Sequence, residues 1–524
     1  MTDPLLISPL PTPAEMNGWD RSAAAMGLKT ELLMENASRE ALHALEEKLG
    51  ELRGKSAMCF AGPGNNGGDA IALARHLHDS GVETTLLLAR PSRSYKGAPG
   101  FHLKLARRAG VHVDLIARTD LERLPEPDIV VDGLLGTGLK GEPRPEYAAH
   151  IDALNLLGER SFVLALDIPS GLDGETGVAA RATVIADMTV TFEAAKLGLC
   201  LPEASGYVGE LVARRIGIPR IIREERPASH YLMTPELAFM LPGLDAGMHK
   251  GSAGKVLIIG GSPGLTGAPV LAALGALRSG AGLVTVACPA GIEPALKAGN
   301  PDVMTLPLGH GERWSASMAQ ALRTRMSDFD ALVVGPGMGR GQDAAEFLSA
   351  LGTDLPPSVW DADALFWLAS KPVRLKDAVA TPHPGEAARI LGKTIPEVEA
   401  SRASCVRELA LAMGSTVALK GPGTLVCPAA GVEGAPPSAS PPVFVSPFSE
   451  PNLAVGGSGD VLSGVAGSLL ARDLSPLLAA CLGVYWHGLA GRLVSGDFPY
   501  RGNLASEIAG ALPRALTEWL HADS

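Results

Sequence analysis

Short apolar runs alternate with amphipathic stretches along almost the whole chain, and this alternation restricts the fold more than any other feature. SAMCFA (56–61), ETTLLLA (83–89), DIVVD (128–132), FVLALD (162–167) and MTVTF (188–192) have the length and composition of strands. DAIALARHLHDS (69–80) and PEYAAHIDALNLLG (145–158) have helical spacing, and from Glu15 to Leu49 the recurrence of Leu32, Leu33, Ala37, Ala41, Leu45 and Leu49 reads as helix too. A strand–helix–strand rhythm requires a parallel sheet covered by helices on both faces. It breaks at REERPASHYLMTP (223–235), a charged, proline-containing stretch with the composition of an interdomain linker. A second series follows, with strands at 256–260, 283–287, 331–335, 358–363, 417–421 and 424–427 and helices at 268–280, 461–472 and 477–495. The segment from Pro428 to Pro451 is dense in Pro, Ser and Gly and reads as an irregular surface excursion. The fold class expected is α/β, as two three-layer αβα domains over residues 1–225 and 226–524.

Composition narrows the function classes. The net charge of −11 provides no positive field for a phosphate backbone, so a nucleic-acid partner is not expected. Glycine (62) and proline (41) make close to a fifth of the chain, but 46% apolar residues assign them to the turns of a folded protein. The six cysteines lie far apart, with no CxxC and no metal-ligand spacing, and read as reduced core residues. The first residues lack the basic and apolar regions of a signal peptide, and nowhere do 18 apolar residues run uninterrupted. A cytoplasmic protein without a membrane partner, assembled as a homo-oligomer, is the expectation.

In the first half, AGPGNNGGDA (61–70) joins a strand to a helix, and Gly62, Gly64 and Gly67 fit GxGxxG. Glycines let backbone approach a phosphate, and the helix N-terminus beyond supplies unpaired N–H groups. An ordinary dinucleotide fold closes its second strand with an acid for the ribose, whereas this one ends in Ala89-Arg90. Asn65, Asn66 and Asp69 instead bring amide and carboxylate oxygens to the carboxyl edge of the sheet. Two further strands end there in an acid, Asp132 before GLLGTGLKGEP and Asp167 before IPSGLDGETG. A single strand-end Asp commonly caps a helix or forms a turn; three polar loops converging on one edge point to a ligand site.

These loops, together with LMENA (33–37) and the TF-to-KLGL element (191–199), resemble the epimerase domain of the NAD(P)H-hydrate repair enzymes over residues 14–220. The resemblance implies a Rossmann-like domain that holds the hydrated dinucleotide through Asn65, Asn66, Gly67, Gly68 and Asp69, through Gly136, Thr137, Gly138, Leu139, Lys140, Gly141 and Glu142, and through Asp167. It also implies a potassium ion at Asn66, Asp132 and Ser170, oxygen ligands that suit a hard cation. Asp167 is the candidate acid/base and Lys196 a second one.

In the second half, NLAVGGSGDVLSG (452–464) carries Gly456, Gly457 and Gly459 in a loop that opens a helix at Val461, leaving N–H groups free to form an anion hole. Asp460 then accepts a proton from an attacking hydroxyl while the hole stabilises the transferring phosphoryl group. The alternative role for Asp460 is a helix cap. LKGPGT (419–424) offers Lys420 and backbone donors to nucleotide phosphates or ribose; His383, between two prolines, sits in an extended loop; His487, in an apolar helix, reads as a core histidine.

This half is similar to the ribokinase-like superfamily and, through HKGSAGKVLIIGGS, GPGMG, DADAL, TPHPGE, LKGPGT and GGSGDVLSG over about residues 230–515, to the ADP/ATP-dependent NAD(P)H-hydrate dehydratases. The resemblance implies that Ala268, Gly337, His383 and Asp460 contact the hydrated nucleotide. It assigns Lys420, Gly421, Pro422, Gly423, Thr424 and Gly459 to ADP or ATP, bound with Mg2+. The implied function is repair of NADHX and NADPHX: interconversion of the R and S epimers and nucleotide-dependent dehydration of the S epimer, with release of phosphate. The competing reading is a kinase for a vitamin-type alcohol joined to a non-catalytic binding module.

Overall fold

The computed structural model describes residues 7–119, 126–370, 373–431 and 440–521. It divides into two compact units, one of residues 9–230 and one of residues from Tyr231 onward together with Ile7 and Ser8. The strands, in chain order, are β1 (Ile7–Pro9), β2 (Ser56–Ala61), β3 (Glu83–Leu88), β4 (His112–Leu115), β5 (Ile129–Gly133), β6 (Phe162–Leu166), β7 (Met188–Phe192) and β8 (Glu210–Arg214). They continue with β9 (His230–Met233), β10 (Lys255–Ile259), β11 (Leu283–Pro289), β12 (Met304–Leu308), β13 (Ala331–Val334), β14 (Ser358–Trp360), β15 (Ala378–Ala380), β16 (Thr416–Leu419), β17 (Leu425–Cys427) and β18 (Val443–Val445).

In the first unit the order is β4-β3-β2-β5-β6-β7-β8, parallel at every pairing. The direction of winding reverses between β2 and β5, and ligands of open α/β sheets bind beyond the strand ends at such a switch point. Every residue of β5 is buried, so both faces of the sheet are covered. The loops leaving β2 and β5 touch: a Cβ on Gly62 would lie 1.9 Å from the Leu134 carbonyl oxygen, so only glycine fits there.

In the second unit β12-β11-β10-β13-β14-β15-β16 run parallel, followed by antiparallel β17 and β18, with β9 and then β1 at the edge. Helices Gly267–Arg278 and Ser458–Leu470 pack backbone to backbone; a Cβ on Gly464 would come within 1.9 Å of the Ala272 carbonyl. That contact fixes the helix that carries Asp460. Helix Pro476–Asp497 is long and apolar enough to cross a membrane, but 83% of its apolar window is buried inside the protein, as befits a core helix.

Several elements differ from the expectation. The helical run of 15–49 is two helices, Pro13–Ala25 and Thr30–Leu49, separated at Gly27, which takes φ +96°. The helix expected from Asp69 begins at Asn65, and the one expected from Val461 begins at Ser458. The 223–235 stretch is ordered: the Trp19 indole donates to the Arg226 carbonyl (2.8 Å), Ser229 N–H donates to Glu15 (3.1 Å), and β9 follows. The unit boundary thus falls at 230/231 rather than 225/226. Residues 432–439 of the expected excursion lie outside the described residues, but Val443–Val445 beyond them is a fully buried strand. The six cysteines are free, five of them buried.

Candidate active sites

Helix Asn65–Asp79 starts against the carboxyl end of β2 without a side-chain cap, and among the described residues the N–H groups of Asn65, Asn66 and Gly67 find no backbone acceptor. They open on a cavity of about 890 Å³. Its walls include Asn65, Asn66, Gly67 and Asp69, the 136–140 loop and Glu142, Asp167 and Lys196, and Met16, Asn17 and Asp20 of helix Pro13–Ala25. Of the sequence-predicted residues, Gly68 and Gly141 do not line it. Gly68 faces Met34 and Pro99, where a Cβ would meet the Met34 methyl at 2.4 Å.

Asp167 holds φ +61° at the end of β6, a conformation that costs a non-glycine residue about 1 kcal/mol or more and is kept only where surroundings enforce it. The enforcing partner is Lys196, 1% exposed, whose ammonium donates to Asp167 Oδ1, to Thr191 Oγ1 (3.0 Å) and to the Phe192 carbonyl (3.0 Å). All three ammonium protons are spent. Burial pushes the Asp69 carboxyl well above its ordinary range, helped by Asp167 and opposed by Lys196. Burial likewise raises Asp20 to about 6.

Behind the cavity wall, Asp132 is fully buried. Its carboxylate accepts from Ser170 N–H (2.7 Å), Ser170 Oγ (2.7 Å) and Leu134 N–H (3.1 Å), and burial still raises it to about 6. Asn66 Nδ2 donates to the Leu135 carbonyl (2.6 Å), which leaves Asn66 Oδ1 buried with no partner. Flipping the amide would set two acceptor oxygens against each other, so the orphan is an oxygen. The Ser170 hydroxyl lies 3.3 Å from the same carbonyl, and Asn66, Asp132 and Ser170 therefore form one oxygen-rich cluster.

In the second unit, helix Ser458–Leu470 is capped by Gly457 in the left-handed region (φ 93°), with no side-chain cap bond. Asp460 is three residues inside the cap and caps nothing, which removes the alternative role considered for it. Among the described residues the Gly459 and Asp460 N–H groups find no backbone acceptor, and Lys420 Nζ lies 3.0 Å from where a Gly459 Cβ would be. Lys420 in turn donates to Asp361 (2.6 Å), which is 1% exposed and also accepts from Ser463 Oγ. Burial, with the Asp361 charge adding, raises Asp460 to about 7 while Lys420 opposes.

Glu386 is pushed to about 7, first by burial. It is joined to His383, which caps helix Pro384–Leu391: His383 Nδ1 accepts from Gly385 N–H (3.0 Å) and Nε2 lies 3.3 Å from Glu386. Burial and then the Lys420 charge hold that imidazole below its usual range, hence neutral. Ala268 and Gly337 adjoin, 3.1 Å between the Ala268 methyl and a Cβ on Gly337. The 421–424 loop is pinned by the Arg402 guanidinium on the Pro422 carbonyl and by Gly423 N–H on the Phe448 carbonyl (2.9 Å). His487 is buried against Ser458 (3.2 Å), as a core histidine.

Sequence reasoning missed Asp20, Asp361 and Glu386. DADAL and TPHPGE contain the last two, each at or just beyond a strand end, and that placement was the available signal. Asp20, inside a helix, gave none.

Two separate carboxylate-rich sites, each at the end of its own parallel sheet, make this an α/β enzyme with an active site in each half. Residues 256–514 match the family described as NAD(P)H-hydrate dehydratase, and residues 30–198 match that described as YjeF-related protein N-terminus. A bifunctional NAD(P)H-hydrate repair enzyme of Moorella thermoacetica is 35% identical over 97% of this chain and 96% of its own length. Its Escherichia coli counterpart is 35% identical over 95% of this chain and 92% of its own. Among solved structures, an ADP/ATP-dependent NAD(P)H-hydrate dehydratase from Bacillus subtilis, co-crystallised with ATP and Mg2+, is 27% identical. It covers 55% of this chain and 97% of its own, with a TM-score of 0.46. The chain belongs to the family of bifunctional NAD(P)H-hydrate repair enzymes, with the epimerase in the N-terminal half and the dehydratase in the C-terminal half. Membership decides against the alcohol-kinase alternative.

Proposed function

We propose that the cavity of the first unit is the epimerase site for NADHX and NADPHX, and that the Gly457–Asp460 turn of the second unit is the site at which ADP or ATP drives dehydration of the S epimer. The observation that carries the reading is Asp460: a carboxyl held near 7 by burial, beside two N–H groups without a backbone acceptor among the described residues and a half-buried lysine. A group of that pKa accepts a proton at neutral pH, and the donors beside it suit a phosphoryl group carrying negative charge.

Asp460 takes the proton of the ring hydroxyl as that oxygen attacks the terminal phosphoryl group. The hydroxyl is a poor leaving group and its phosphate ester a good one. Electron push from the ring nitrogen then expels phosphate as a carbon–nitrogen double bond forms, and loss of a proton from the neighbouring ring carbon to water restores the dihydronicotinamide. The Gly459 and Asp460 N–H groups and Lys420 hold the phosphate oxygens, with Gly421, Pro422, Gly423 and Thr424 along the nucleotide and Ala268, Gly337 and His383 against the hydrated substrate. Mg2+, arriving with the nucleotide, would neutralise part of the phosphate charge.

In the epimerase half, Asn65 to Asp69, Gly136 to Glu142 and Asp167 hold the dinucleotide. Lys196 acts through Asp167, because its three protons are already donated. Potassium fits the cluster behind the loop: Asn66 would offer its unpartnered Oδ1, Asp132 its buried charge and Ser170 its hydroxyl. Bound there, the ion would supply positive charge that stiffens the 134–140 loop. The two catalytic domains are taken as the two compact units divided at 230/231, in a cytoplasmic homo-oligomer.

The test is recovery of NADH absorbance when purified protein meets mixed NADHX epimers with Mg2+ and ADP or ATP. Full recovery is expected. Recovery of the S fraction alone would remove the epimerase assignment, and a stable phosphoester in place of free phosphate would remove the dehydratase one.

A further inference from the structure

We infer that Asp20 is a second proton-transfer residue of the epimerase, working with Asp167 from a different wall of the same cavity. The inference rests on the assignment of that cavity as the epimerase site. Asp20 precedes the segment matched by the N-terminal family and belongs to none of the loop motifs. Helix Pro13–Ala25 turns Asp20 into the cavity together with Met16 and Asn17, four and three residues before it, while Trp19 and Ala23 enter the core.

The charged groups around it are committed elsewhere. Lys196 has donated all its protons, Asp167 is bound to Lys196, and Glu193 accepts from the Ile216 and Ile218 amides (3.1 and 3.2 Å) and from Arg223. Among the described residues the Asp20 carboxylate makes neither a hydrogen bond nor an ion pair. Its ionisation is set first by burial, then lowered by Lys196 and raised by Asp167 and Glu193, and comes to about 6. Burial also raises Asp69, which faces the same charges, well above its ordinary range. Open to the cavity and without a partner of its own, Asp20 is placed to gain and lose a proton near neutrality.

Inverting the hydroxyl-bearing ring carbon requires the oxygen to leave from one ring face and return to the other. The Asp20 carboxyl gives its proton to the hydroxyl. The carbon–oxygen bond breaks with both electrons on the departing water, and the ring-nitrogen lone pair forms a carbon–nitrogen double bond. A water molecule adds to the opposite face and loses its proton to Asp167. The reverse reaction runs with the two carboxyls exchanged, so one proton shared between them serves both directions.

The experiment measures epimerisation by the full-length protein against pH for wild type, Asp20→Asn, Asp20→Glu and Asp167→Asn, with dehydration of pure S epimer as the control for folding. Wild type should lose activity as pH rises through about 6, because the shared proton is lost. Asp20→Asn should lower epimerisation by roughly 10²- to 10⁴-fold and abolish that limb, with dehydration intact. Asp20→Glu should retain a limb, displaced in pH because a different carboxyl now titrates, with activity well above that of Asp20→Asn. Equal losses in the Asn and Glu variants with the limb unmoved, or no loss in Asp20→Asn, overturn the inference. Should Asp20→Asn not fold, the limb of Asp20→Glu decides: displaced it supports the role, unmoved it refutes it. An active Asp167→Asn would instead overturn the site assignment itself.

Discussion

Replacing Asp460 by asparagine separates catalysis from stability in opposite directions. The carboxyl is raised from 3.8 to about 7, mainly by burial, so its charged form opposes folding. At roughly 1.4 kcal/mol per tenfold change in acidity, the opposition is on the order of 4 kcal/mol at most, less what solvent screens at a partly exposed side chain. The folded-state pKa lies above the unfolded one; the penalty is therefore absent below about pH 4, grows between 4 and 7, and is complete above 7. Asparagine fits the same space without the charge, so thermal denaturation should show the variant more stable than wild type at pH 8 and equal to it at pH 4. Loss of a general base lowers turnover by roughly 10²- to 10⁴-fold. Steady-state dehydration of pure S epimer at saturating nucleotide measures that, and in wild type the rate should rise with pH through about 7. A capping role would instead give near-normal turnover and about 1 kcal/mol lost stability. Near-normal turnover in the variant would refute the base, and a lower melting temperature at pH 8 would refute the burial argument.

Asp132→Ala removes the charged oxygen of the proposed potassium cluster, so epimerisation should fall while dehydration of pure S epimer is unchanged; equal loss of both would sink the assignment. Exchanging potassium for a large organic cation should slow wild type only. Asp361→Asn breaks the buried pair with Lys420, at a cost of ~3 kcal/mol, and should raise KM for the nucleotide; an unchanged melting curve and KM would mean that Asp361 does not hold Lys420. Separate expression of 1–225 and 226–524 leaves β1 on the wrong piece. A peptide of residues 1–12 should then raise the melting temperature of 226–524 by covering the β9 edge, and no rise would show that β1 contributes nothing.

The loops that end β2, β5 and β6, and the glycine turn before Asp460, were legible in the sequence because function there depends on local order: strand, glycine or acid, helix start. Both helix starts were read three or four residues late, since the first turn in each is polar and glycine-rich and carries no apolar period. The short strands β1, β9 and β18 offered three or four residues each, beside prolines, and their pairing is wholly long-range. Asp361 stood in a quoted motif, but its part comes from Lys420 and Ser463, 59 and 102 residues away in sequence. Asp20 had only a helix around it. What makes it chemical is a cavity assembled by loops more than 40 residues further on.

The two halves meet one chemical difficulty, a hydroxyl that does not leave by itself, with the same physical device. In each, burial holds a carboxyl near neutrality, Asp20 at about 6 and Asp460 at about 7, while a nearby lysine pairs with a different aspartate, Lys196 with Asp167 and Lys420 with Asp361. The lysine lowers the neighbouring carboxyl without pairing with it. What differs is the fate of the oxygen. Direct protonation of the hydroxyl is reversible and inverts the carbon, whereas transfer to phosphorus commits it to leave. Reversibility suits the half that must accept either epimer, and commitment suits the half that must return the reduced cofactor.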